Sequence, residues 1–230
     1  MPSAASPAQP GRGSPFHSLS LMSPTDLRAE TLRRFTAWRL EANEHLPLVE
    51  SLADLQPRSS TQVAARASAA GYVAAFCFGA PVERVHNDLE RFELWQHLSA
   101  EEQALLSNPE ASDQSKAIHG WLIEAIQFMA WSLGIVTLDH FAPCSEALAS
   151  KFPKAGTDPS QFIANARLRP LDELLQEADT LYMLHWFAVE ANLEGQPDKR
   201  VVLPRVSFRR HAADWVVGVA EAWDDVSLDT

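Results

Sequence analysis

Apolar residues recur at helical spacing along almost the whole chain, and this periodicity restricts the fold more than any other feature of the sequence. Two capping-box patterns, Ser59 with Gln62 and Ser99 with Glu102, indicate helix starts. The one β-like run of note, residues 201–203, is too short to form a sheet. The sequence therefore predicts an all-α fold with little or no β-structure.

One predicted helix, over residues 112–133, is apolar on most of its circumference. A helix of this kind belongs in the centre of a large soluble domain. A membrane span over residues 120–138 is the alternative, but Glu124 and several uncharged polar residues interrupt that stretch. Gly134 is expected to end the helix in the left-handed conformation. We therefore predict a compact domain of several helices around a central apolar helix.

The chain divides into a short tail and one domain. Residues 1–24 contain five prolines and a single charged residue, Arg12, which is the composition of a disordered tail. Met22 stands just before the first helical pattern and is an alternative start of translation. No repeat or change of composition divides residues 25–230, which we predict to form a single helical domain. Further helices are predicted at residues 26–43, 59–79, 81–97, 170–195 and 204–220.

Composition argues against several classes of function. Asp and Glu total 30 against 19 Lys and Arg, a formal net charge of −11, whereas nucleic-acid binding requires a basic face. Cys77 and Cys144 have neither zinc nor disulfide spacing, and for Cys144 a buried free thiol is favoured over a nucleophile. The sequence shows no signal peptide and no cofactor-binding motif. It predicts a cytoplasmic protein that binds no nucleic acid, membrane or cofactor.

Glu124 is the first place in the sequence that indicates a polar site. It lies in the most apolar helix, where an unpaired carboxylate is costly, so it requires a donor. The candidate donors are Arg167, Arg169, His185 and Arg209.

The second place is the C-terminus, where Asp224, Asp225 and Asp229 follow Trp223. We expect the indole to be buried against the helical body, because chain ends fray unless something holds them. The carboxylates either cap helix ends and pair with arginines, or bind a hard cation through oxygen ligands. Together the two places give one candidate polar cluster: Glu124, Arg169, His185, Arg209, Asp224, Asp225 and Asp229.

Several short motifs, in order and spacing, resemble a bacterial family, the domain of unknown function 4272. The matching pieces are Asn43-Glu44-His45-Leu46-Pro47, Trp95-x-x-Leu98-Ser99-x-Glu101-Glu102, Trp121-x-x-Glu124-Ala125, Trp131-Ser132-Leu133-Gly134, Ala166-Arg167-Leu168-Arg169, His185-Trp186 and, most specific, residues 223–230. The resemblance implies a mainly helical cytoplasmic domain with no established activity.

Three residues depart from the family pattern. Leu122 and Met183 stand where the family carries arginine, and Phe208 stands where it carries glutamate. Apolar groups replace a buried ionic network at little cost when all its members change together. If that network is a catalytic centre in the family, the resemblance implies that this member is inactive.

Two kinds of function remain open from the sequence. The first is a non-enzymatic protein-interaction module, of an immunity or regulatory type, which the acidic charge and the missing catalytic motifs favour. The second is an enzyme of unknown class that uses Glu124, His185 and the C-terminal aspartates. A pocket where those groups converge with shifted pKa values would favour the enzyme. A nucleic-acid contact through Arg205, Arg209 and Arg210 is disfavoured by the net charge.

Overall fold

The computed structural model describes residues 22–48, 55–108 and 111–229, and every regular element within them is helical. The all-α prediction of a single compact domain is confirmed. Residues 1–21, most of the predicted tail, lie outside the described residues. The α-helices are α1 (Pro24–Trp38), α2 (Ser60–Cys77), α3 (Val82–Arg91), α4 (Ala100–Ser107), α5 (Asp113–Gly120), α6 (Leu122–Ser132), α7 (Ser160–Ala164), α8 (Leu171–Leu193) and α9 (Leu203–Val217). Short 3-10 helices cover Trp95–His97, Leu148–Lys151 and Trp223–Asp225.

Local sequence signals set several helix ends. Both capping boxes form. The Ser59 and Ser99 hydroxyls each accept a hydrogen bond from the backbone N–H of the third helical residue, and the side chain of that residue accepts one from the backbone N–H of the serine. Helix α9 ends at Gly218, whose φ is 87°. A Cβ atom there would lie 2.2 Å from the carbonyl oxygen of Gln56. Only glycine fits this position.

Some predicted helix bounds are wrong. Helix α1 ends at Trp38 rather than near residue 43, because Arg39 turns to a left-handed conformation with φ of 57°. Helix α3 ends at Arg91 rather than near His97, and Glu93 is again left-handed. His97 instead lies in a 3-10 turn.

The predicted helix over residues 112–133 is two helices. The chain tightens at Trp121, whose backbone N–H bonds Ile118 and whose carbonyl accepts from Glu124, both at i,i+3 spacing. This turn leaves Ile118 on α5 54% exposed. The second helix, α6, is buried on nearly all sides, and Gly134 follows it with a φ of 72° as expected.

Helix α2 lies between two hydrophobic cores. The larger core is formed by helices packed in the order α1, α8, α9, α6 and α2. The smaller core joins the opposite side of α2 to α3, α4 and the 3-10 helix Trp95–His97, and Leu122 at the start of α6 also belongs to it. Alanines on α2 allow the close approach from both sides, and Ala64, Ala67, Ala69 and Ala70 are all almost completely buried.

Buried polar contacts also fasten α1 to α8. Arg28 on α1 pairs with Asp179 on α8 at 2.9 Å and donates to the carbonyls of Leu46 and Pro47. Thr31 donates to the same carboxylate, which is fully buried. Asp179 was missed at the sequence level, since one aspartate among polar neighbours gives no distinct pattern.

The C-terminal segment is held across both cores by Trp223. The indole is partly buried and packs against both, with the Arg66 guanidinium 4.0 Å from its ring centroid. It also meets Trp215 edge-on at 5.6 Å. The segment continues past it, and Val226 is buried in the larger core.

Replacing Trp223 is therefore expected to destabilise the fold more than replacing a C-terminal aspartate. Trp223→Ala removes contacts with both cores and should lower the free energy of unfolding by about 3 kcal/mol. Asp229→Ala should change it by less than about 0.5 kcal/mol, because Arg210 bonds the Asp229 backbone carbonyl rather than the exposed carboxylate. Urea denaturation of the two variants measures the difference, and equal losses would contradict this role of the indole.

Candidate functional site

The structure pairs two of the seven residues of the predicted polar cluster. Arg209 on α9 donates to the Glu124 carboxylate on α6 through Nε at 3.0 Å and Nη2 at 2.7 Å. Both side chains are almost fully buried, at 1% exposed each. Arg205, one turn earlier on α9, lies 3.5 Å from the other carboxylate oxygen. Glu124 thus has the donor that its apolar surroundings require.

This ion pair also holds the loop over residues 139–144. Arg209 donates to the backbone carbonyls of Asp139 and Ala142, and the Cys144 N–H donates to Glu124 at 3.0 Å. In the described structure, the remaining side-chain contacts of Glu124 and Arg209 are therefore with Arg205 or with this loop.

His185 belongs to a different network, centred on Arg210. The Arg210 guanidinium lies 2.9 Å from His185 Nδ1, pairs with Asp214 at 3.2 Å and donates to the Leu228 and Asp229 carbonyls. It also lies over the Tyr182 ring. The network fastens the end of the chain to α8 and α9.

The remaining predicted site residues lie apart from both networks. Arg169 donates to the Trp131 carbonyl and pairs with Glu173. Asp224 caps α4 by accepting the Ala100 N–H at 2.8 Å. Asp225 and Asp229 are exposed, and among the described residues no arginine pairs with a C-terminal carboxylate. The expected pairing with arginine is therefore not seen, whereas the expected helix cap is.

One cavity of the described structure is an apolar groove that the sequence did not predict. It has a volume of about 490 Å³ and lies between α2, α6 and the segment 144–159, which we call the groove wall. Its floor consists of small residues of α2, namely Ala67, Ser68, Gly71, Ala74 and Ala75. Ile123 and Ile126 of α6 and Leu148 and Phe152 of the groove wall supply the apolar sides.

A signal for the groove exists in the sequence, but it is ambiguous. Small residues at positions 67, 68, 71, 74 and 75 share one helix face, and the same pattern serves close helix packing. At Gly71 no atom lies within 4 Å of a Cβ added there, so this glycine faces open space. The groove wall comes from a distant loop that periodicity cannot place.

Cys144 is the first residue of the groove wall, and its thiol is poorly suited to nucleophilic attack. Burial, with the charge of Glu124 acting in the same direction, raises its pKa to about 11. The thiol is therefore protonated at neutral pH, which is the opposite of what a nucleophile requires. The sequence predicted a buried free thiol; Cys144 is a free cysteine, but it is only partly buried.

The described part of the chain has neither a metal-binding cluster nor a membrane-spanning helix. No three His, Cys, Asp or Glu side chains there are arranged to hold a metal ion. None of the helices within residues 22–48, 55–108 and 111–229 has the length and apolarity to cross a bilayer.

The family model described as a domain of unknown function, DUF4272, matches residues 28–226, which is most of the chain. The chain belongs to the DUF4272 family. No curated protein and no solved structure shows significant similarity to it. The residues matched by the DUF4272 model include most of both cores, the groove and the Glu124–Arg209 pair, and the family has no assigned activity.

The three residues that we expect to depart from the family pattern are packed in the two cores. Leu122 is buried in the smaller core and Met183 in the larger one. Phe208 is partly buried and packs against both. Each apolar residue is therefore accommodated by packing where it stands.

The Arg210 network should give two opposing pH effects. Burial raises the pKa of Asp214 to about 6 from 3.8, so the folded state holds its proton more tightly and stability falls as the pH rises through about 4 to 6. Burial lowers the pKa of His185 to about 4 from 6.5, so the unfolded chain holds its proton more tightly and stability rises with pH through about 4 to 6.5. The two effects largely cancel in the wild type.

In single variants, the free energy of unfolding should therefore change with pH in opposite directions. Relative to the wild type, His185→Gln should lose about 2–3 kcal/mol of unfolding free energy between pH 4 and 6, and Asp214→Asn should gain about as much. Urea denaturation at several pH values measures both slopes. If both variants keep the wild-type slope, these residues do not set the pH dependence.

Proposed function

We propose that the protein is a non-enzymatic binding module and that its apolar groove takes a small, largely apolar molecule. The observation that carries this proposal is the groove itself, with about 490 Å³ enclosed between α2, α6 and the groove wall. Small-molecule sites in proteins commonly have volumes of roughly 300–1,000 Å³ and mainly apolar linings.

The state of the charged residues supports binding rather than catalysis. Glu124 is occupied by Arg209 and by the Cys144 N–H, and His185 by Arg210. These two groups belong to separate networks instead of converging on the groove, as an acid–base site would require. Their contacts hold loops and chain ends in place, so the sequence-based hypothesis of an enzyme gains no support from them.

A small molecule is favoured over a protein partner by the distribution of exposed apolar side chains. A stable protein interface buries about 800 Å² on each partner, usually around large apolar anchors. Of the large apolar residues exposed in the described structure, Phe78 alone lines the groove. The others are Leu48, Ile118, Leu193 and Val219. The protein-interaction and immunity-type hypotheses therefore stay predictions.

Gly71 offers a direct test, because a Cβ atom added there meets no atom within 4 Å and a larger side chain would extend into the groove. Gly71→Leu should weaken binding of the neutral dye N-phenyl-1-naphthylamine at least about tenfold, since the leucine occupies the dye's space. Gly71→Ala is the matched control: it gives the same gain in helix propensity, about 1 kcal/mol, with little filling. Dye fluorescence titration of the full chain and both variants measures the affinities.

Equal dye affinity for the wild type and Gly71→Leu would show that the groove is not the binding site. Thermal unfolding of the two variants checks that both remain folded, and neither should be less stable than the wild type because α2 loses a glycine from its interior.

A further inference from the structure

The groove is apolar inside but carries hydrogen-bond donors near one turn of its wall. Lys154 and Thr157 both line the groove and join through a backbone hydrogen bond, Thr157 N–H to the Lys154 carbonyl. Tyr72 lines it from α2 and lies beside the backbone N–H of Gly156 in the same turn. Burial raises the pKa of the Tyr72 phenol, and its protonated hydroxyl is hydrogen-bonded to the Asp88 side chain.

The charge of Lys154 is unmatched within the described structure, as are those of Lys151 and Lys199, which do not line the groove. Its ammonium takes part in no ion pair, hydrogen bond or ring contact there, although most arginines in the same residues do. The chain has four lysines against a net charge of −11, and two of them, Lys151 and Lys154, lie on the groove wall. Glu146 and Asp158 lie in the same segment, so the groove wall has no net charge, and Lys154 is the cation that lines the groove.

One lining residue opposes that charge. Glu146 also lines the groove and is exposed, and no cation lies within ion-pair distance of it in the described structure. Asp88 influences the Tyr72 hydroxyl but does not line the groove. The groove lining thus holds one charge of each sign, and Lys154 is the one with a hydroxyl donor, Thr157, in the same turn.

We propose that the ligand of the groove is a small amphiphile with an apolar body and an anionic head group, and that the head lies at Lys154. This inference rests on the proposed function. An apolar body matches the groove floor and sides, and the head group gains a charge-assisted contact with the lysine and a hydroxyl donor from Thr157. The apolar interior supplies affinity, and the charged end fixes the orientation.

The test compares ligands of equal chain length and different head groups. Decanoic acid, decanol and decylamine are used to displace N-phenyl-1-naphthylamine from the full chain at low ionic strength. We expect decanoate to bind about fivefold more tightly than decanol, the gain of one partly exposed charge pair, and decylamine to bind most weakly. Raising the salt concentration should reduce the advantage of decanoate, because exposed charges are screened.

Matched substitutions locate the head group. Lys154→Met should remove the advantage of decanoate and leave decanol unchanged, whereas Lys151→Met, on the 3-10 helix Leu148–Lys151 and outside the groove lining, should change decanoate binding by less than about twofold. Glu146→Gln should strengthen decanoate binding.

The two proposals fail in different ways. If decanol and decanoate bind equally in the wild type, or if Lys154→Met and Lys151→Met act alike, the anionic head group at Lys154 is wrong and the apolar groove still stands. If neither the dye nor any of the three ligands binds, the proposed function itself fails.

Discussion

The buried ion pair between Glu124 on α6 and Arg209 on α9 is the contact on which the functional part of this structure depends. It joins two helices of the larger core, and its spare donors and acceptors hold the loop over residues 139–144. That loop leads directly into the groove wall. Because a buried charge without its partner costs several kcal/mol, neither member can be lost alone without disturbing the loop.

The groove results from the way in which both hydrophobic cores pack against α2. This helix is packed from two sides, which selects alanine along most of its length, and a small-residue face remains toward the groove wall. Large side chains on that face would close the space. The cavity therefore arises from the same residues that allow close packing, with the Glu124–Arg209 pair keeping the wall in position above them.

Prediction from the sequence was most successful where the chemistry of one residue requires a particular partner or backbone conformation. The capping boxes and Gly134 formed as expected, and the apolar setting of Glu124 led to a short set of donors that included Arg209. It failed where distant segments meet. The break at Trp121 depends on i,i+3 bonds that periodicity does not record, and the groove needs a loop from elsewhere in the chain. Similarly, seven polar candidates were grouped by residue type, and the fold pairs two of them, Glu124 and Arg209, and separates the others.

Amide hydrogen exchange in Glu124→Gln tests most directly whether this pair holds the groove wall. Glu102→Gln is the matched control, because Glu102 is an equally buried carboxylate paired with Arg66 away from the wall. We expect faster exchange over residues 139–152 in Glu124→Gln than in Glu102→Gln, after each is corrected for its loss of global stability. The same exchange pattern in both variants, or an unchanged wall in Glu124→Gln, would contradict the account.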